Sequence, residues 1–257
     1  MTTPAVGLIV PPAEARIPPE AYGLYPEGIR FVARGLGLQA LTIEDYAIAI
    51  ERVGELARQL REQERIDAIS LMGTSLSFFR GGAFNADLVA LMEQEAGVPA
   101  TTMSNSIRDA LRAVGARRIA VGTAYTDAVN ERLRGFLEHS GFELASLIGM
   151  GLEDIGDILS VSQDQVTDLA LRAFEAADGR SKDGKPNYDK PDAIFLSCGG
   201  LPALHLAQAV EPRTGVPVVA SSTAGVWGAV RLLNRSGAAD ALGTLGRSRP
   251  APLRAAG

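Results

Sequence analysis

The sequence predicts an α/β protein built from two similar halves, each with a central parallel sheet. Short apolar runs alternate along the chain with segments whose apolar residues recur at helical spacing, which is typical of a parallel sheet covered by helices on both faces. The chain also contains an internal repeat, because residues 97–104 (GVPATTMS) are echoed by residues 215–222 (GVPVVASS). We therefore expect two pseudo-symmetric, Rossmann-like α/β domains, with a functional site in the cleft between them.

Eight short apolar runs are predicted to form the strands of these sheets. They are rich in Val, Ile, Leu and Ala, and Gly, Pro or charged residues flank them, as expected for strands that are buried on both faces. The predicted strands are residues 5–10, 38–41, 68–72, 100–103, 118–122, 143–148, 193–197 and 216–220.

The segments between the strands have the apolar spacing of helices. One predicted helix has an apolar face formed by Tyr46, Ile50, Val53, Ala57 and Leu60. Another has an apolar face formed by Val129, Leu133, Phe136 and Leu137. Thr126 is the predicted N-cap of this second helix, and Gly141 lies just past its end. Ser162 and Gln165 have the spacing of a capping box at the start of a third helix.

The repeat places the domain boundary near residue 115. We expect a first domain of residues 1–115 and a second of residues 116–223, with a helix at about 224–242 that packs back on the first domain. The charged segment 178–190 is predicted to be an exposed loop. Residues 243–257, which combine Arg, Pro and small side chains, are predicted to be a flexible tail.

Composition and charge narrow the class of protein. The chain has 257 residues, is 46% hydrophobic and 21% charged, and carries a formal net charge of −5. This balance is ordinary for a globular protein and does not favour nucleic-acid binding. No apolar run approaches the length of a membrane span, and the N-terminal segment lacks the basic lead and cleavage site of a signal peptide. We therefore expect a cytoplasmic protein that binds neither nucleic acid nor a membrane; its oligomeric state is left open.

Cysteine and histidine usage narrows the chemistry. The single cysteine, Cys198, excludes an internal disulfide, and the two histidines, His139 and His205, lie far apart in the sequence. No cluster of Cys and His residues has the spacing of metal ligands, so no metal site is predicted.

Two predicted strands end in similar sequences that differ at one important position. The run 193–200 (AIFLSCGG) ends in Cys198, Gly199 and Gly200, whereas the run 68–75 (AISLMGTS) ends in Gly73, Thr74 and Ser75. Ligands of open parallel sheets bind beyond the carboxyl ends of the strands. We therefore expect the two tips to face each other across one cleft, with a thiol on one side only.

These motifs resemble those of the aspartate/glutamate racemase superfamily and, within it, the arylmalonate decarboxylase family. Besides Pro11 and Pro12, the segments that carry the resemblance are 71–78 (LMGTSLSF), 123–125 (TAY), 130–133 (NERL), 196–200 (LSCGG) and 216–219 (VPVV). The racemases carry one cysteine at each strand tip, and this chain departs from that pattern at Gly73. The segment 178–190 is also longer than the resemblance leads us to expect.

The resemblance implies the cofactor-independent decarboxylation of disubstituted malonates, with aryl or alkenyl substituents, to chiral monocarboxylic acids. Racemisation needs an acid and a base on opposite faces of a carbon, and Gly73 provides neither. Decarboxylation generates the carbanion directly, so one proton donor suffices. The resemblance makes Cys198 that donor.

The resemblance also implies a set of substrate contacts. The hydroxyl groups of Thr74, Ser75 and Tyr125 and the N–H groups of Cys198 and Gly199 would stabilise the enediolate, in the manner of an oxyanion hole. Gly73, Gly200, Pro11 and Pro12 would permit close approach of the substrate. The apolar pocket for the departing carboxylate would be lined by Leu38, Leu41, Tyr46, Ile155 and Ile158.

Several alternatives remain open at the level of sequence. Cys198 could be a small buried apolar residue, and Thr74 and Ser75 could serve as helix caps. A helix start beside Cys198 would lower the pKa of the thiol, although a proton donor must be protonated. At the level of function, the alternatives are a racemase or isomerase of the same superfamily, and a non-catalytic protein that binds small carboxylates. A catalytic pair of Cys198 and His205 is disfavoured, because a helix after Gly200 would carry the histidine away.

Overall fold

A computed structural model describes residues 3–40, 42–177 and 190–248, and it contains two four-stranded parallel sheets. The first is formed by β1 (Ala5–Val10), β2 (Arg30–Gly35), β3 (Ala68–Leu71) and β4 (Ala100–Thr102). The second is formed by β5 (Arg118–Thr123), β6 (Glu143–Gly149), β7 (Ala193–Ser197) and β8 (Val218–Ala220). Their strand orders are β2-β1-β3-β4 and β6-β5-β7-β8, so the second repeats the first. The predicted α/β class with two similar halves is confirmed.

The helices lie between these strands in chain order. Those of the first half are α1 (Pro19–Leu24), α2 (Ile43–Ala49), α3 (Val53–Glu64), α4 (Thr74–Phe78), α5 (Gly81–Ala96) and α6 (Met103–Ala113). Those that follow are α7 (Asp127–His139), α8 (Ile155–Leu159), α9 (Gln163–Ala177), α10 (Leu206–Thr214), α11 (Ser221–Arg231) and α12 (Thr244–Arg247).

The register of the sheets makes Gly73 and Cys198 equivalent positions. Leu71 of β3 pairs with Thr102 of β4, and Leu196 of β7 pairs with Ala220 of β8. Gly73 and Cys198 each lie two residues beyond the paired leucine. The two strand tips therefore correspond residue by residue, and the thiol occupies only one of them.

One predicted strand is wrong. Of the predicted run 38–41, the described residues 38–40 do not join the first sheet, where the edge strand is β2 instead. β2 was missed because its burial alternates and an arginine lies near each end, so it lacks the continuous apolar run of the central strands. Leu38 is held close to β1 by a hydrogen bond from its N–H to the Pro11 carbonyl oxygen, 2.9 Å long.

The helix signals are largely confirmed. The face predicted from Tyr46 to Leu60 is buried, although α2, a single 3₁₀ turn (Ile50–Arg52) and α3 share it. In the predicted capping box, the Ser162 N–H donates to Gln165 Oε1 at 2.9 Å and the Gln165 N–H donates to Ser162 Oγ at 3.3 Å. Thr126 is the N-cap residue of α7, but its side chain makes no capping hydrogen bond.

The C-terminal part of the chain differs from the expectation. The helix expected at about 224–242 is α11, which begins directly after β8 and ends at Arg231. Within the segment predicted as a tail, residues 244–247 form the helical turn α12, and Leu245 is buried. The carboxylate of Glu211 holds this turn by accepting hydrogen bonds from the N–H and hydroxyl of Thr244. The predictions for the loop 178–189 and for residues 249–257 lie outside the described residues.

The two halves meet where α6 and α11 pack together. These helices are equivalent, because each follows the last strand of its sheet, and α11 is buried along its whole length. Gly228 allows the closest approach: a Cβ there would lie 2.6 Å from the Ser106 Cβ and 3.2 Å from its Cα. Real Cβ atoms do not approach other carbons at 2.6 Å, so only glycine fits without moving a backbone.

We predict that Gly228→Ala lowers the free energy of unfolding by about 1–3 kcal/mol, because the added methyl group must push α6 and α11 apart. Gly135→Ala is the control, since a Cβ at that exposed helical position meets nothing within 4 Å, and there alanine should stabilise by about 0.5–1 kcal/mol. Urea denaturation measures both. Equal stability of Gly228→Ala and the unsubstituted protein would contradict the tight contact.

Candidate active site

The tip of β7 lies against the tip of β3. A Cβ on Gly199 would stand 3.2 Å from the sulfur of Met103 and 3.4 Å from the carbonyl oxygen of Met72. Gly200 is equally confined, since a Cβ there would be 2.8 Å from Cγ2 of Ile158. Gly199 therefore permits the backbone of the second half to approach the first half, and Gly200 permits it to approach α8 of its own half.

Cys198 is a buried free thiol with an unusual backbone. Its φ is +148°, a region that residues other than glycine rarely adopt. Its N–H donates to Ser221 Oγ at 3.2 Å. The role of the Cys198 N–H in the enediolate site stays a prediction.

Burial raises the pKa of the Cys198 thiol to about 11. Hydrogen bonds from the N–H of Gly200, the hydroxyl of Tyr125 and the N–H of Leu201 lower this pKa, but burial outweighs them. The following helix, α10, begins only at Leu206, so no helix start lies at the thiol. A thiol with its pKa raised in this way is protonated near neutral pH.

The hydroxyl of Tyr125 lies between the two tips. Ser197 Oγ donates to it at 3.5 Å, and the side chains of Thr74 and Cys198 are close enough to shift its pKa. Burial raises the pKa of Tyr125 well above its ordinary value, and the neighbouring Cys198 and Tyr46 raise it further. Tyr125 is therefore a neutral hydrogen-bond donor beside the thiol.

A network that the sequence did not predict holds Tyr125 in place. Thr123 Oγ1 donates to Asn130 Oδ1 at 2.7 Å and accepts from the Tyr125 N–H at 3.2 Å. Asn130 Nδ2 donates in turn to the Tyr125 carbonyl oxygen at 3.3 Å. The motifs TAY and NERL contain these residues, so the signal was present, but only the fold shows that Asn130 supports the turn.

Thr74 and Ser75 lie at the start of α4, and both are buried. Gly73 is the N-cap residue and no side chain caps this helix, so the capping alternative does not account for the two hydroxyls. Thr74 Oγ1 lies 2.7 Å from the sulfur of Met103. Ser77 fixes the turn instead, because its hydroxyl donates to the carbonyl oxygens of Gly73 and Thr74, both at 2.9 Å.

Tyr46 differs from the apolar wall residue that was expected. Its ring packs edge-on against Phe79, with centroids 5.4 Å apart, and the side chain is fully buried. Its hydroxyl has no hydrogen-bond partner among the described residues, although it lies near Ser75 and Cys198. Burial raises the pKa of Tyr46. The hydroxyl of Tyr46 is therefore a neutral group beside Ser75 that lacks a hydrogen bond of regular geometry.

The other predicted pocket residues come from both halves. Leu38 and Ile158 are buried, Ile155 is partly buried, and Leu41 lies outside the described residues. An antiparallel bridge between Ala40 and Asp154 joins the segment after β2 to the start of α8.

Pro11 and Pro12 follow β1, one of the two interior strands of the first sheet, and both are partly buried. They therefore lie at the carboxyl edge of this sheet, as Gly73 does.

Two classes of site find no support in the described part of the chain. His205 is exposed and its Nδ1 lies 3.2 Å from Gln208 Oε1, so it does not form a pair with Cys198. Across the described residues, no three or more His, Cys, Asp or Glu side chains are grouped so as to hold a metal ion.

None of the described helices has both the length and the apolar character needed to cross a membrane.

Comparisons with known proteins identify the family that this chain resembles. The sequence pattern of one family, described as arylmalonate decarboxylase, matches residues 6–246. The arylmalonate decarboxylase of Bordetella bronchiseptica is 46% identical over 231 residues, which are 90% of this chain and 91% of that protein. The resemblance predicted from the two strand tips is confirmed.

Solved structures show the same relationship. The liganded form of a double mutant of arylmalonate decarboxylase has a TM-score of 0.85 at 43% identity, covering 92% of this chain and 95% of that chain. The maleate cis-trans isomerase of Nocardia farcinica bound to TRIS shares the fold, with a TM-score of 0.81, 18% identity and coverage of 95% and 98%.

We predict that alkylation of the folded protein by iodoacetamide rises with a midpoint near pH 11. An ordinary cysteine has its midpoint at about pH 8.5. The pKa of Cys198 is higher in the folded protein than in the unfolded protein, so the protonated thiol favours the folded state. This contribution to the free energy of unfolding is fully present below about pH 8.5 and is lost as the pH rises through 11. The chain has one cysteine, so mass spectrometry of the label reports on Cys198 alone. The urea-unfolded protein is the control; a folded midpoint at or below its value would contradict the raised pKa.

Proposed function

The chain belongs to the arylmalonate decarboxylase family, and from this premise we propose that it decarboxylates disubstituted malonates without a cofactor, using Cys198 as the only proton donor. The substrates would be aryl- or alkenyl-malonates, and the products chiral monocarboxylic acids. The proposal rests on one observation: the two strand tips occupy equivalent positions, but one carries Cys198 and the other carries Gly73. A thiol on one face of the substrate can protonate a carbanion from that face only.

One carboxylate of the substrate would remain bound as the enediolate forms. The hydroxyls of Thr74, Ser75 and Tyr125 are buried. Tyr125 lies beside both Cys198 and Thr74, and Ser75 lies beside Tyr46, which itself neighbours Cys198. This clustering supports their role as donors to the two oxygens of the enediolate. The proposed backbone donors are the N–H groups of Gly199 and Cys198, the second of which is hydrogen-bonded to Ser221 Oγ in the structure. Such preorganised donors contribute about 3–4 kcal/mol each to the stabilisation of a developing oxyanion.

The other carboxylate would leave as carbon dioxide from the pocket lined by Leu38, Leu41, Ile155 and Ile158. An apolar environment disfavours a localised charge and favours the neutral product. The unpaired hydroxyl of Tyr46 would give this carboxylate a single donor that orients it without balancing its charge. The substrate would approach the site closely past Pro11, Pro12, Gly73 and Gly200. The domains 1–115 and 116–223 would form opposite walls of the cleft.

The chemical steps balance without a co-reactant other than water. The bond between the α-carbon and the departing carboxylate breaks, and its electron pair moves into the enediolate. The thiol of Cys198 then gives its proton to the α-carbon, and the resulting thiolate takes a proton from solvent. A thiol pKa of about 11 supports this role, because the donor is protonated before each turnover.

Racemisation by the same site is disfavoured because Gly73 offers no second acid or base. At Gly73, a Cβ would stand 2.5 Å from Cδ1 and 3.0 Å from Cβ of the buried Leu76. The Leu76 side chain must therefore shift when any side chain is introduced at Gly73. Because Cys198 is a free thiol, a reducing compartment suits the reaction, and we place it in the cytoplasm.

We predict that Cys198→Ala lowers the turnover of phenylmalonate by about 10²–10⁴-fold, the usual contribution of a general acid. The measurement is carbon dioxide release by the purified protein. The unsubstituted protein separates the proposal from a non-catalytic binder, which would bind phenylmalonate without releasing gas. Full turnover by Cys198→Ala would end the assignment of Cys198 as proton donor.

We predict that Gly73→Cys exchanges the α-proton of 2-arylpropionates and lowers the enantiomeric excess of the decarboxylation product, because acids or bases would then stand on both faces. Gly73→Ala is the matched control: it meets the same obstruction by Leu76 but adds no thiol, so it should show no exchange. Deuterium incorporation from D₂O measures the exchange. A folded Gly73→Cys protein that exchanges no more than Gly73→Ala would contradict the facing geometry of the tips.

A further inference from the structure

The loop that follows Cys198 is fastened to its surroundings at three buried points. The Cys198 N–H donates to Ser221 Oγ at 3.2 Å, and Ser222 Oγ donates to the Leu201 carbonyl oxygen at 3.5 Å. The Ala203 N–H donates to Glu20 Oε1 at 3.3 Å, although this carboxylate belongs to the first half. Among the three, the bond to Ser221 is the one that contacts the cysteine itself.

The conformation of Cys198 needs such a restraint. Its φ of +148° contrasts with the φ of −119° at the equivalent Gly73. A residue other than glycine keeps a φ in this region only when its surroundings enforce it. The strained backbone therefore lies on the side of the cleft that carries the thiol, where it sets the direction of the Cys198 side chain.

Ser221 has a hydroxyl group that the equivalent residue of the first half lacks. It is the first residue of α11, and the equivalent first residue of α6 is Met103, whose side chain has no hydroxyl. α6 begins with an ordinary cap, in which Thr102 Oγ1 accepts from the Asn105 N–H at 3.2 Å. No side chain caps α11. Instead, the Ser221 hydroxyl at its start accepts from the neighbouring strand tip.

We propose that Ser221 is a positioning residue for the protonation step: its hydroxyl, bound to the Cys198 N–H, holds the strained backbone that aims the thiol at one face of the carbanion. The proposal rests on the proposed function in taking Cys198 as the proton donor. Ser221 acts through Cys198, so its loss should affect the rate and stereochemistry of protonation more than the binding of substrate.

The test compares Ser221→Ala, the isosteric pair Ser221→Thr and Ser221→Val, and the control Thr223→Val. Thr223 lies in the same helix, and its hydroxyl donates to the Ala220 carbonyl oxygen, not to the cysteine loop. The substrate is methylphenylmalonate, whose product is chiral. The measurements are kcat, KM, enantiomeric excess and the rate of Cys198 alkylation at a fixed pH.

We expect Ser221→Ala and Ser221→Val to lower kcat by about tenfold or more, because the unpaired Cys198 N–H would no longer hold the backbone that aims the thiol. KM should change little, the enantiomeric excess should fall, and alkylation should accelerate because the thiol is no longer held in its buried position. Ser221→Thr, which keeps the acceptor, should exceed Ser221→Val in kcat and enantiomeric excess. Thr223→Val should behave as the unsubstituted protein does.

Two outcomes would overturn the proposal. One is a folded Ser221→Ala protein whose kcat, enantiomeric excess and alkylation rate all equal those of the unsubstituted protein. The other is an equal loss in Ser221→Thr and Ser221→Val, which would indicate a purely steric role. If the unsubstituted protein releases no carbon dioxide, the proposed function fails, while the alkylation rates of the Thr and Val variants still decide whether Ser221 holds the thiol.

Discussion

The close packing of α6 against α11 is the contact on which the site depends. Each helix begins where the last strand of its sheet ends, so the distance between them sets the distance between the two sheets. Gly228 against Ser106 brings the helices together, and Gly225 lets the side chains of Met72 and Met103 fill the space beside them. A larger residue at Gly228 would separate the strand tips and open the cleft to water.

Exclusion of water gives the site its chemical character. The thiol of Cys198 and the hydroxyls of Thr74, Ser75, Tyr46 and Tyr125 are all at least nine-tenths buried. Burial disfavours the charged forms of the thiol and the phenols, so these groups stay neutral and can donate hydrogen bonds or a proton. In the proposed reaction, the same burial would make each donor to the enediolate stronger than it would be in water.

Pseudo-symmetry creates the frame, and a few asymmetric substitutions create the chemistry. Both sheets have the same strand order, so the fold supplies two equivalent tips. One tip carries Gly73 with Leu76 packed over it, and the other carries Cys198 with Ser221 beside it. A symmetric site with two thiols would serve proton removal and return, whereas this asymmetric pair favours delivery of a proton to one face.

The sequence by itself determined the class of fold, the repeat and the two unequal tips, because these are local patterns of apolar spacing, glycine and one cysteine. It missed the edge strand β2, whose arginines break the apolar pattern. Only the tertiary structure decided that the Cys198 N–H is bound to Ser221, 23 residues further along the chain, that the Tyr46 hydroxyl is unpaired, and that the thiol pKa is raised. Hydrogen-bond partners and burial depend on which distant segments meet, and that is not encoded in any single stretch of sequence.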